Sequence, residues 1–153
     1  MMNKLELLIP PLPLTFAVAI VMWLINMWLP NGLQFIGQNL LATFLLILGL
    51  LFILPAAISF FKAQTTVDPR TPDKSNKLVI TGLYTISRNP MYVGMVLCLI
   101  ALSVAQGNVL NFMLSFAFAF YLSRFQIQPE ERFLTEKFGE QYTQYCQQVR
   151  RWI

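Results

Sequence analysis

The chain has 153 residues, of which 56% are hydrophobic and 12% charged, with a net charge of +4 and no histidine. About a quarter of an ordinary soluble domain is charged, so a water-soluble fold of this size is excluded for want of polar side chains to cover it, and a bilayer is the natural solvent. The basic excess falls in three blocks separated by long uncharged runs, which marks it as a topology signal and a modest attraction to anionic lipid rather than a nucleic-acid surface.

The first uncharged run, Leu7 to Phe61, is 55 residues long. A helix crosses the hydrocarbon with about 20 residues, within a range of roughly 17–25, so this run predicts two spans and a turn. The first covers about 12–29. Pro10, Pro11 and Pro13 lie at its entry, where a missing N–H costs least, and they interrupt the apolar stretch that a cleaved signal peptide needs. Trp28 is placed for the interfacial belt, and Pro30-Asn31-Gly32 closes the span. The second span covers about 38–61, with Pro55 predicting a kink towards its end.

Residues 62–89 form a polar segment too long for an idle connection in so small a protein. Leu78 to Ile80 suggest a short strand or turn within it. A second uncharged run, Asn89 to Ser123, is 35 residues and predicts two shorter spans, 90–106 and 108–124, joined at Gly107-Asn108. Cys98 falls inside the third span and Cys146 in the tail, too far apart in the topology to pair and read as inert thiols. In the tail, 125–153, the residues Leu134, Phe138, Tyr142, Tyr145, Val149 and Trp152 recur at helical spacing, which predicts an amphipathic helix, with Gly139 as a possible break in it.

All eleven Lys and Arg lie before the first span, between the second and third, or after the fourth. Four crossings put those three segments on one side, and the positive-inside rule makes that side cytoplasmic. The fold expected is therefore an all-α integral membrane protein of four transmembrane helices plus a C-terminal amphipathic cytoplasmic helix. It is a single domain over 1–153, multi-pass, with both termini cytoplasmic, in the inner membrane if the source is bacterial.

The third and fourth spans form a hairpin, which returns residues near 128–131 to the membrane face that residues 88–92 leave. Arg88-Asn89-Pro90 alone is an ordinary span entry: an arginine at the headgroups, an N-capping residue, and proline in the first turn. Tyr92 alone fits a belt residue and Gly94 a packing residue. Glu130 and Glu131 are harder to explain that way. Neighbours on a helix diverge by about 100°, so one turns inward, and an inward carboxylate beside a bilayer marks a functional site.

The run R-N-P-M-Y-V-G, with L-V-I-T-G-L-Y before it and P-E-E-R-F-L-T-E-K-F-G-E-Q-Y-T-Q-Y after it, resembles the isoprenylcysteine carboxyl methyltransferase family, which is related to the membrane phospholipid N-methyltransferases. The likeness spans about residues 65–152, and the ending V-R-R-W-I is similar to bacterial members. Many relatives have histidine where this chain has Asn89, so a histidine-mediated step is ruled out here. The resemblance implies S-adenosylmethionine as cofactor, held at the cytoplasmic face between the last two spans and the tail, with no metal and no nucleic-acid partner. It implies a lipophilic acceptor, carboxylate or amine, entering from the membrane lipids.

The residues implicated suit that ligand. Arg88 forks a carboxylate, and the first N–H groups after Pro90 add a positive helix end. Glu131, with Glu130 beside it, accepts from ribose hydroxyls or an ammonium. Tyr84, Tyr92 and Tyr142 line the adenine or the sulfonium. Gly82 and Gly94 permit close backbone approach, and Asn89 belongs to the same motif. Arg88 and Glu131 are the residues expected to carry catalysis. Two other readings use the same scaffold: a non-enzymatic assembly or regulatory protein, and a nicotinamide-dependent lipid reductase. The second would need a phosphate-binding basic cluster that the sequence does not supply.

Overall fold

A computed structural model describes residues 6–30, 32–62 and 78–153. Every regular element among them is helical: α1 (Pro11–Trp28), α2 (Gln38–Lys62), a 3-10 turn (Gly82–Thr85), α3 (Pro90–Gln106), α4 (Val109–Leu122), a π turn (Ser123–Ile127), α5 (Gln128–Phe138) and α6 (Glu140–Gln148). Most of the polar segment, 63–77, lies outside the described residues, as do the N-terminal block with Lys4 and the middle of the Pro30-Asn31-Gly32 turn. The strand suggested at 78–80 is not formed. Those residues have no regular structure and run into the 3-10 turn.

Helices α1 and α2 are long and apolar enough to cross a membrane. They leave Phe16, Ile20, Trp23, Trp28, Leu40, Phe44, Leu51 and Phe61 exposed, an apolar surface that water would penalise heavily and lipid would not. Helix α3 is apolar but shorter, at 17 residues. Pro55 lies inside α2, where it withholds an N–H from the helical ladder.

Helices α2 and α3 cross at two glycines. A Cβ on Gly94 would lie 2.5 Å from the Gly49 carbonyl oxygen and 2.6 Å from Ile53 Cγ1, and one on Gly49 would lie 2.7 Å from Cys98 Sγ. Small residues at such a crossing let two backbones touch, which is how helices gain packing energy where lipid supplies no hydrophobic drive. The core fills the space between α1, α3 and α4 with Met22, Met95, Leu99, Phe118, Leu122 and Ile127.

The hairpin turn between α3 and α4 forms as the sequence implies. Gly107 takes a left-handed φ of 61° at the end of α3, and the Asn108 side chain caps α4 by accepting from the Leu110 N–H at 3.0 Å. The same end is tied by a polar seam that composition hid. Asn111 donates to the Met22 carbonyl at 3.1 Å, and the Ser103 and Ser115 hydroxyls lie 3.1 Å apart. Asn108 donates to the Leu29 carbonyl at 2.8 Å, and Gln38 to that of Val104 at 2.7 Å. Buried amides in apolar surroundings must find partners, and here they lace α1 and α2 to the hairpin.

The fourth apolar helix does not stop near 124. Backbone at Leu122, Ser123, Ile127 and Gln128 stays right-handed helical, so α4, the π turn and α5 form one rod from Val109 to Phe138, about 45 Å long at 1.5 Å per residue. Pro129 begins no new helix; it sits in the first turn of α5 behind the π turn. Gly139, at φ 53°, separates α5 from α6, the break that the sequence suggested. The aromatic stripe divides. Leu134, Phe138, Tyr142, Tyr145 and Val149 cluster with Leu78, whereas Trp152 joins the core between the long helices.

Candidate functional site

The site is built where α3 begins. Gly82 opens the 3-10 turn at φ 65°, a conformation open to glycine at little cost. A Cβ there would meet only Ser59 Oγ, at 3.7 Å, so the glycine serves the turn more than any close approach. Tyr84 is buried in that turn, edge-on to Phe60 with ring centroids 5.5 Å apart, and its carbonyl accepts the Tyr145 hydroxyl at 2.6 Å. Burial, then the charges near Tyr145 and Glu130, hold the Tyr84 phenol well above its ordinary range, so it stays neutral.

Arg88 follows, and the structure spends it heavily. Its Nη2 reaches Glu131 Oε1 at 2.5 Å. Its Nη1 donates to the carbonyls of Cys146 and Val149 at 3.2 and 3.0 Å, and its backbone N–H donates to Arg150 at 3.0 Å. Only the buried Nε has no partner among the described residues. Burial alone would make the guanidinium easier to deprotonate, but the hydrogen bond and charge of Glu131 outweigh it and raise its pKa. Asn89 holds the N-cap position without capping; its side-chain amide donates to the Arg151 carbonyl at 2.9 Å. The segment after α6 is thus bound, carbonyl by carbonyl, over the start of α3.

The hairpin delivers the two carboxylates to this place on α5. Glu131 is gripped from a second side by Arg151, whose Nε and Nη2 lie 3.1 and 2.6 Å from its two oxygens. Glu130 accepts the Tyr92 hydroxyl at 2.6 Å. The neighbours therefore diverge as helix geometry requires, one towards the arginines and one towards the buried phenol. Burial raises the Glu130 carboxyl from about 4.5 to about 7, against the opposing Tyr92 hydrogen bond and with help from the Glu131 charge.

Of the other residues singled out from the sequence, Pro90 and Tyr92 are buried in the first turn of α3. Tyr142 is buried against Tyr145 with ring centroids 6.1 Å apart, and burial, chiefly, raises its phenol pKa. Gly94 makes its close approach to α2. Two participants went unread. The Arg150-Arg151 pair registered as basic charge and as a terminal motif, with no hint that Arg151 closes on Glu131. Tyr145 registered only as one position of an apolar stripe. Glu131 and Arg151 also border an open cleft of about 460 Å³, lined further by Gln128, Arg132, Thr135 and Glu136.

The sequence has relatives. The family model described as phospholipid methyltransferase matches residues 37–141, from the start of α2 to the start of α6. The chain belongs to the phospholipid methyltransferase family. Among individual relatives of this family member, the protein-S-isoprenylcysteine O-methyltransferase B of Arabidopsis thaliana is 32% identical over 108 residues, which cover 69% of this chain and 53% of that protein. An uncharacterized protein of Haemophilus influenzae is 40% identical over 63 residues, 41% of this chain and all of that protein. The chain thus spans about half the length of the plant methyltransferase it matches. The isoprenylcysteine methyltransferase likeness carried by R-N-P-M-Y-V-G is supported by both the family match and the plant relative.

Proposed function

We propose that this phospholipid methyltransferase family member transfers a methyl group from S-adenosylmethionine to a lipophilic acceptor, a carboxylate or an amine, that enters from the bilayer. The reading includes four membrane crossings within a single domain over 1–153 and both termini on the cytoplasmic side, with α3 and the α4 rod forming the second pair of crossings. The observation that carries it is the meeting of Arg88, Glu130, Glu131 and Tyr92 at one end of the α3–α4 hairpin in a chain of this family. The name of the plant relative, an O-methyltransferase of a prenylated cysteine, supports the lipophilic acceptor.

The donor set suits the ligand. Arg88 keeps one buried N–H unspent beside two carboxylates, so an amino-acid moiety would find a cation for its carboxylate and an anion for its ammonium. Tyr84, Tyr92 and Tyr142 lie buried around this cluster and would supply an aromatic wall to an adenine or a sulfonium. When bound, S-adenosylmethionine supplies a methyl group on a good leaving group, so this chain's residues have mainly to align the acceptor and exclude water. Glu131, fixed between Arg88 and Arg151, would orient the donor without moving. Glu130, poised at about 7, would accept a proton from an amine acceptor; a carboxylate acceptor would leave it no proton to take.

Titration of the protein in nanodiscs with S-adenosylmethionine tests this reading. Saturable binding is expected in the wild type, with a loss of at least about tenfold in Arg88→Ala and in Glu131→Gln at retained helicity. Absence of binding in the folded wild type would overturn it. Methyl-labelled donor incubated with a total lipid extract would then identify the acceptor.

A further inference from the structure

Before α1 the chain makes a short excursion, residues 6–9, whose hydrogen bonds and ion pairs among the described residues run to the π turn and to α5. Glu6 has a side chain only 3% exposed and holds two arginines: Arg132 Nη2 at 2.5 Å on one oxygen and Arg124 Nη1 at 3.5 Å on the other. The Leu7 N–H donates to the Phe125 carbonyl at 3.0 Å, and Leu7 adopts φ 56° to do so, a left-handed conformation uncommon and costly for a branched residue. The fully buried Gln126 donates its amide to the Ile9 carbonyl at 2.8 Å.

The rod supplies these contacts because of its π turn. Pro129 has no N–H to return to Phe125 four residues back, so that carbonyl is free for Leu7. Arg124 and Arg132 are eight positions apart, which on an unbroken α-helix would point them about 80° apart. The widened turn takes up about one residue, leaving close to two full turns between them, so both arginines face one carboxylate. Around the axis of α5, Glu131 lies about 100° and Glu130 about 200° from Arg132, which carries Glu131 to Arg88 and Glu130 to Tyr92.

We propose that Glu6 is a positioning residue, and that segment 6–9 latches the π turn to hold α5 at the angle at which Glu130 and Glu131 meet Tyr92 and Arg88. The consequence for donor binding rests on the function proposed above; the mechanical part does not. Glu6 touches neither Arg88 nor Glu131, so its influence passes through Arg132 and the rod.

The test uses the full chain in nanodiscs and two readouts: hydrogen exchange of the α5 amides, and S-adenosylmethionine affinity. In Glu6→Gln, exchange over 130–138 should rise about tenfold while α1, α2 and α3 keep their protection, and affinity should fall about tenfold. The double variant Glu6→Lys with Arg132→Glu rebuilds the shorter ion pair with its charges exchanged, and although Arg124 then faces a lysine it should recover both in part. Unchanged α5 exchange in Glu6→Gln would overturn the latch, as would loosened exchange that the double variant fails to recover, or a lost affinity with α5 exchange intact. If the wild type binds no donor, the functional reading falls, while the exchange comparison still decides whether Glu6 holds α5.

Discussion

At the scale of single residues, the adjacent glutamates divide their labour through their partners. Glu131 lies between two guanidinium groups, and Glu130 has a phenol for company. A carboxyl raised from about 4.5 to about 7 binds its proton more tightly folded than unfolded. Between those values the folded state therefore holds more protons, and stability falls as pH rises through the window. Thermal unfolding of the wild type followed from pH 4 to 8 should show that decline, and Glu130→Gln should flatten it. Tyr92→Phe should move the upper end of the window higher by removing the hydrogen bond that favours the ionised carboxylate. Arg88→Lys should lose about 1–3 kcal/mol in denaturant unfolding, because an ammonium cannot serve Glu131 and two separate carbonyls with a planar fork. That Arg88 and the twin glutamates come together was legible in the sequence, because a hairpin of two apolar helices returns 128–131 to the end that 88–92 leave. That Arg88 binds the tail was not, since backbone carbonyls carry no sequence signature. Glu6 stayed hidden for a related reason: one acidic residue beside a span looks like a solvated end until the fold brings Arg124 and Arg132 over it.

At the scale of elements, the helices were legible from apolar length and from proline, glycine and asparagine at their ends. Pro90, Gly107 and Asn108 fix the hairpin almost to the residue. The sequence divides the rod into two pieces, a span to 124 and a tail from 125, because the apolar run ends there; the backbone instead stays helical through a π turn, and the carbonyl that Pro129 leaves free takes the Leu7 N–H. The α2–α3 crossing makes a sharp prediction. Gly94→Ala would place a methyl group 2.5 Å from the Gly49 carbonyl oxygen, so the helices must separate, at a cost of about 1–3 kcal/mol. Ala substitution of Gly139, around which a Cβ meets nothing within 4 Å, should instead cost only the strain of its positive φ. Unfolding in detergent, compared across the two variants, checks the order.

At the scale of the whole molecule, α1 and α2 are long and apolar enough to cross a membrane and turn apolar exteriors outward. If four helices cross, Leu33 at one end and Glu136 at the other should lie on opposite sides. Single cysteines at these positions, in a chain with Cys98 and Cys146 replaced, should react oppositely: an impermeant maleimide should label residue 33 from outside and residue 136 only after permeabilisation. Labelling of both from the same side would refute the four-crossing arrangement. The widened turn at Ser123–Ile127 carries a last consequence, for tolerance to insertion and deletion. A residue removed from α4 would swing everything beyond it by about 100° and carry both acids away from their partners. A residue removed inside the turn would return it to ordinary helical winding with the phase of α5 preserved. Along this rod, the turn is the one stretch where a single codon can be lost without rotating α5, although the contacts it gives Leu7 and Ile9 would go with it.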